Sequence, residues 1–286
     1  VPTAGGFTVP VAFSADYIEA LYKNSILDKL GVSRIPLPNG NLSIPKMTTS
    51  AQAYWVGESK KIPKSEATFG NINLKAKKLG ALCPISNDLL KFSGVGIEAW
   101  IMNDLREKAN EKLNDALLNG SGTEYQPLGL IGRSIQTDSG VMGADTPFAL
   151  EELLEKENIP MANVKWLLSP KGKKMLRSVK NGDTFAWADE MRGGRQIDGY
   201  DYITSGHVTD ADSSHGTVIL GDWSQLLWGQ GYDLTFEMSR DASFDNGGGT
   251  VINCFENDLT LIKLITSHDF ATKHDKAFAK GSYTAS

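Results

Sequence analysis

Residues 41–86 constrain the fold more than any other part of this chain. Leu42-Ser43-Ile44 alternates apolar and polar residues on the way out, and Ile72-Asn73-Leu74-Lys75-Ala76 alternates on the way back, with the period of two that a strand requires. Between them runs a polar stretch containing Tyr54-Trp55-Val56-Gly57-Glu58 and Lys61-Ile62-Pro63. The spacing predicts a long hairpin over residues 41–78 with a loose tip around residues 58–67. Leu79, Ala81, Cys83 and Ile85 then occupy odd positions where even positions came before, so a bulge or bend is expected near Lys77-Lys78.

A projection this poor in apolar residues has no core of its own. Lys60, Lys61, Lys64, Lys75, Lys77 and Lys78 outnumber Glu58 and Glu66, although the whole chain carries a net charge of -5. The projection therefore suits an acidic partner, and the most available one is another copy of the same chain. Trp55 has little of its own chain to cover it, and aromatic side chains are favoured anchors in desolvated interfaces. Trp55, Glu58, Lys60, Lys61 and Lys64 are the candidate assembly residues.

Elsewhere helical and strand patterns mix, which makes the chain α+β. Pro2, Pro10, Pro36 and Pro38 bracket a short amphipathic helix over residues 17–30. Ser86 suits the N-cap of a turn of helix over residues 87–92, closed by Gly94 and Gly96. From Ile97, the residues Ile101, Leu105, Ala109, Leu113 and Leu117 recur every four positions, predicting a helix over residues 97–119 that Gly120 stops. Beyond Pro127, residues 150–156 and 171–179 read as helices and residues 164–168 and 218–220 as buried strands. Residues 234–237 and 250–265 alternate as further strands.

Little in the chain points to chemistry. His207, His215, His268 and His274 lack metal-ligand spacing. His268-Asp269 and His274-Asp275 read as surface or intersubunit hydrogen-bonding groups, because one acid per histidine supplies neither coordination number nor fixed geometry. Asp210 and Asp212 read as solvated loop acids. Asn119-Gly120-Ser121-Gly122-Thr123 follows a helix and lacks the Gly-Lys-Ser/Thr ending of a phosphate loop, so its glycines serve a helix C-cap. Cys83 and Cys254 have no Cys-x-x-Cys partner and read as core residues, as do Trp100, Trp166, Trp187, Trp223 and Trp228. No catalytic residue, metal or cofactor is expected. No run of about 18 apolar residues exists and the start lacks the order of a signal peptide, so no membrane partner is expected and synthesis is placed in a cytoplasm. No basic domain marks a dedicated nucleic-acid binder.

Five landmarks occur in order: Gly5-Gly6-Phe7-Thr8-Val9-Pro10; Tyr54-Trp55-Val56-Gly57-Glu58; residues 79–86; Leu117-Leu118-Asn119-Gly120-Ser121-Gly122-Thr123 with Gln126-Pro127-Leu128-Gly129-Leu130; and Gly221-Asp222-Trp223. Together with Asp275-Lys276-Ala277-Phe278, they resemble the major capsid proteins of tailed bacteriophages, with the Hong Kong 97-like fold. The resemblance implies an N-terminal arm with a short helix (1–40) and an extended loop (41–78). It further implies a peripheral domain (79–130 and 233–267) with a spine helix over 97–119, and an axial domain (131–232 and 268–286).

The implied function is self-assembly into pentamers and hexamers of an icosahedral shell that encloses double-stranded DNA without sequence-specific binding. Portal, scaffolding segment or protein, maturation protease and a cement protein are the implied partners, and the implied location is the virion, assembled in the host bacterial cytoplasm. Val1 is not an initiator methionine, which fits removal of an upstream scaffolding segment by that protease. An encapsulin compartment is the alternative within the same fold; a hydrolase using a His-Asp pair with a serine is the alternative outside it.

In the family's type member a loop lysine forms an isopeptide bond with a neighbour's asparagine, assisted by a glutamate. A gap-free comparison places Ile62 at the lysine position, Asp258 at the asparagine position and Ile265 at the glutamate position, with Lys61, Lys64 and Asn257 nearby. The expectation is a shell without this cross-link.

Overall fold

The computed structural model describes residues 26–92, 96–159, 161–231 and 234–285. The Gly5-to-Pro10 landmark and residues 17–25 of the expected short helix lie outside the described residues. Within the described part of that segment α1 (Leu27–Leu30) forms, with Ile26 as its N-cap, and is stopped by Gly31 at a φ of 76°. β1 (Ser33–Pro36) leads into a hairpin of β2 (Asn41–Thr49) and β3 (Thr68–Lys75), and β4 (Lys77–Ser86) follows after a break at Ala76. The Ala76 N–H donates to Gly40 O at 2.7 Å. This break, just before the expected Lys77-Lys78, reconciles the two strand phases: Leu74 and Ile85 are both buried.

α2 (Asn87–Phe92) precedes α3 (Ile97–Asn119), on which Leu105, Ala109, Leu113 and Leu117 are all buried. α3 ends because the chain returns against it. A Cβ on Gly120 would lie 2.2 Å from Pro127 O, and Leu130 and Ile131 donate their N–H groups to Leu117 O and Leu118 O at 2.7 and 3.0 Å. The return thereby satisfies carbonyls that a helix end leaves without partners.

The chain continues through β5 (Gln136–Val141), α4 (Thr146–Lys156), β6 (Val164–Leu168), α5 (Pro170–Ser178), the short pair β7 (Lys180–Asn181) and β8 (Thr184–Phe185), α6 (Ala188–Gly193), β9 (Gln196–Ile197) and β10 (Tyr200–Thr204). It then forms β11 (His215–Asp222), β12 (Leu226–Gln230), β13 (Thr235–Ser239), β14 (Ser243–Asp245), β15 (Val251–Asn253), β16 (Leu259–Thr272) and β17 (Phe278–Thr284). Among the described residues no helix is long and apolar enough to cross a membrane.

Two compact units share these elements, and the division falls within β4, α3, β13 and β16. The first comprises Ala81–Lys108 and Phe236–Leu264. There the Asn87 side chain donates to Asp258 Oδ1 at 2.5 Å, and the guanidinium of Arg106 lies 6.0 Å from the Phe236 ring centre.

The second unit holds a six-stranded sheet in the order β5-β17-β11-β6-β10-β9. Alternation along its strands supplies two cores. Leu167, Ile219 and Phe278 pack on one face with Ile26, Leu30, Leu117 and Trp223. Trp166, Leu168, Val218 and Leu220 pack on the other with Leu150 of α4, Leu176 of α5 and Met191 of α6. α4, α5 and α6 therefore cover one face of this sheet. Ser169 caps α5, accepting the Gly172 N–H at 2.9 Å, with Pro170 in the first turn. A second sheet runs β1-β12-β16-β13, with β4 also paired to β16.

Three expectations are corrected. Cys83 is half-buried, because it lies on the alternating, partly covered β4, whereas Cys254 is buried. Trp100 is 36% exposed, while Trp166, Trp187, Trp223 and Trp228 are buried. His268 and Asp269 are buried rather than on the surface, because the second half of β16 is covered on both sides. His268 Nδ1 accepts the Trp228 indole N–H at 3.1 Å and Nε2 lies 2.8 Å from Thr266 Oγ1. Burial pushes this imidazole down to about 4.

Candidate assembly surface

The hairpin is fixed at its root and bare at its tip. β2 and β3 pair antiparallel, with Leu42 opposite Leu74 and Ile44 opposite Ile72. Leu74 packs against Leu37 and Ala271 in a small core that also holds Leu42, Ile44 and Ile72. The Lys75 N–H donates to Asp269 Oδ2 at 2.7 Å and the Phe270 N–H to Oδ1 at 2.9 Å. Burial raises the Asp269 carboxyl, and these two donors oppose that rise by stabilising the anion. Asp269, read from the sequence as a surface group, is thus an anchor for the hairpin.

Past the Thr49–Thr68 pair the ladder ends, and residues 50–67 continue without strands. The two limbs stay together. Gln52 N–H donates to Ser65 Oγ and Ser65 Oγ–H donates to Gln52 O, both at 3.1 Å. At the far end a turn closes with Lys60 N–H donating to Gly57 O at 3.1 Å, with Ser59 in the left-handed region at a φ of 61°.

Trp55, Glu58, Lys60, Lys61 and Lys64, the residues singled out in the sequence, all lie on this tip and all are exposed. Trp55 is fully exposed, and Ile62 and Phe69 are 76% and 73% exposed. Among the described residues no carboxylate pairs with Lys60 or Lys61. Lys64 is paired with Glu66, and Lys77 folds back onto Thr123 O and Gln126 O, so neither lysine is wholly free for a partner.

The chemistry of such a surface is adhesion. Burying a tryptophan removes roughly 150–250 Å² from water, about 4–6 kcal/mol before ordering costs are subtracted, whereas an exposed ion pair contributes about 0–1 kcal/mol. Trp55 would supply affinity and the lysines orientation.

At the positions compared for cross-linking, Ile62 is exposed, Asp258 is held by Asn87, and the Asn257 amide donates to Asn253 O at 2.8 Å. Sequence reasoning missed two features. The exposed apolar pair Met47 and Phe69 is legible once the two are seen to lie opposite one another. Four cations in α5, Lys171, Lys173, Lys174 and Arg177, with no acid among them, were visible in the sequence but were read only as helix.

A match to the phage capsid family runs over residues 5–283. The major capsid protein of Klebsiella oxytoca phage phiKO2 is 26% identical, covering 98% of this chain and 68% of its own length. The major capsid protein of Halomonas phage phiHAP-1 is 27% identical over 90% of this chain, which spans only 42% of that relative. Among solved structures, the capsid of a native GTA particle computed with C5 symmetry has a TM-score of 0.79 at 16% identity, covering 99% of this chain and 98% of that one. The α+β architecture is the Hong Kong 97-like capsid fold. With a match that spans residues 5–283, the chain belongs to the phage capsid family.

Proposed function

We propose that this chain is a major capsid protein of a tailed bacteriophage, assembling as pentamers and hexamers into an icosahedral shell around double-stranded DNA. The observation that carries this reading is the hairpin, braced at Asp269 and the Gln52–Ser65 strut yet fully exposing Trp55. A rigid arm with an uncovered anchor suits a neighbour. Its work is mechanical, not catalytic. Each contact is weak, but every subunit makes several, and simultaneous engagement multiplies them.

In this reading residues 41–78 are the extended loop, residues 79–130 and 233–267 the peripheral domain, and residues 131–232 and 268–286 the axial domain. Portal, scaffolding segment or protein and maturation protease join during assembly in the host bacterial cytoplasm, and interlocking of arm and loop, or an added cement protein, holds the finished virion. The test is negative-stain electron microscopy of the purified protein across a concentration series. Closed particles of uniform size are expected; a monomer at every concentration would overturn the reading.

A further inference from the structure

The helical layer on the six-stranded sheet carries two patches of opposite charge. Lys173, Lys174 and Arg177 of α5, joined by Arg192 of α6, line an open groove of 420 Å³ beside the exposed ring of Phe185. Among the described residues, Lys174, Arg177 and Arg192 form no ion pair with a carboxylate. The second patch is on α4. Burial, then the charge of the Asp198 carboxylate and a side-chain hydrogen bond with it, and finally Glu155, push the Glu151 carboxyl up to about 7, and Glu151 Oε1 is buried without a hydrogen-bond partner of its own. α6 touches both helices: Trp187, at its start, meets Phe148 of α4 edge-on at 5.5 Å, and Ala188 lines the basic groove.

Each patch repels itself in an isolated subunit, and each is relieved by the other. Because they are different surfaces of one chain, a contact that sets one copy's groove on the next copy's α4 can run head to tail, whereas a reciprocal pair would stop at two copies. A two-fold contact of a patch with itself would set like charge against like, whereas a head-to-tail contact repeats until a ring closes.

We propose that the α5–α6 groove of one copy receives the acidic α4 face of the next, and that a circuit of such contacts closes a capsomer ring. This rests on the capsid reading above and names the residues that would carry it. A free anionic polymer such as nucleic acid matches the groove but leaves Glu151 and Glu155 without a counter-charge, Glu152 being paired already with Lys156, so a second copy is the better occupant.

The experiment uses the full chain with two paired reversals, Lys174→Glu with Arg177→Glu, and Glu151→Lys with Glu155→Lys. Each pair should lower the yield of closed particles by about tenfold, while circular dichroism shows a folded subunit. The chain carrying all four substitutions regains complementarity and should recover particles to within about threefold of wild type. Wild-type yields from both paired variants, or a folded four-substitution chain that stays unassembled, would overturn the proposal. So would a groove variant that assembles normally but retains less nucleic acid, which would make nucleic acid the occupant. A wild-type chain that forms no particles would instead remove the capsid reading itself.

Discussion

His268 accepts a hydrogen bond from Trp228 on Nδ1 and meets Thr266 through Nε2, so its neutral form fits the site and its protonated form does not. The Arg34 guanidinium, 4.5 Å from the Trp228 ring centre, adds positive charge nearby. An imidazole in the unfolded chain takes up a proton near 6.5, whereas the folded one stays neutral to about 4. The unfolded state therefore binds more protons within that window. Stability is highest above pH 6.5 with respect to this group and falls as the pH drops toward 4, by about 3 kcal/mol. Denaturant midpoints between pH 7.5 and 4.5 should show the decline, and His268→Gln should flatten it; an equal slope in the variant would refute the assignment. The sequence displayed His268 beside Asp269 but not their burial, since that depends on strands far along the chain covering β16. Asp212, by contrast, is a loop acid as expected, accepting N–H donors from Ser214 and His215.

At the scale of elements, long periodic segments were legible and closures between distant segments were not. The four-residue repeat in residues 97–119 sufficed to place α3 and its buried stripe. Leu117→Ala, at a fully buried position on that stripe, should cost about 2–5 kcal/mol, while Lys112→Ala on the exposed side should stay within about 0.5 kcal/mol. Equal melting temperatures for the two would reverse the helix face. The hairpin was equally legible, because Ile44 and Ile72 keep the period of two on facing strands. Its loop charges make a separate prediction: replacing Lys60, Lys61 and Lys64 together with glutamate should slow or block assembly and leave the subunit folded. Normal particles from that triple variant would remove the electrostatic part of the hairpin's role, leaving Trp55 to act alone. The basic groove was invisible as a site because Arg192 joins Lys174 and Arg177 only after the chain turns back through β7 and β8.

Across the whole molecule, shells of this protein are expected to hold without covalent chain-mail. Ile62 offers no amine, Ile265 no carboxylate to take a proton, and an exposed lysine near neutral pH is protonated and poorly nucleophilic. Fully denatured particles assembled from this chain should therefore run as one band at the mass of the single chain, 31.0 kDa, on a sizing gel. A ladder of multimers would mean that Lys61 or Lys64 reaches Asn257. The bare hairpin tip also bears on events before any shell exists. With Trp55 fully exposed and Ile62 exposed on the same loop, newly made subunits would be expected to clump through the tip. Lys60 and Lys61, which pair with no carboxylate among the described residues, would act as bumpers on that same tip: two tips carry the same sign and repel within about 8–10 Å at physiological salt, before their side chains meet. High salt should thin that protection, so the tip proposed to join finished shells would, under those conditions, be the first part of the free subunit to tangle.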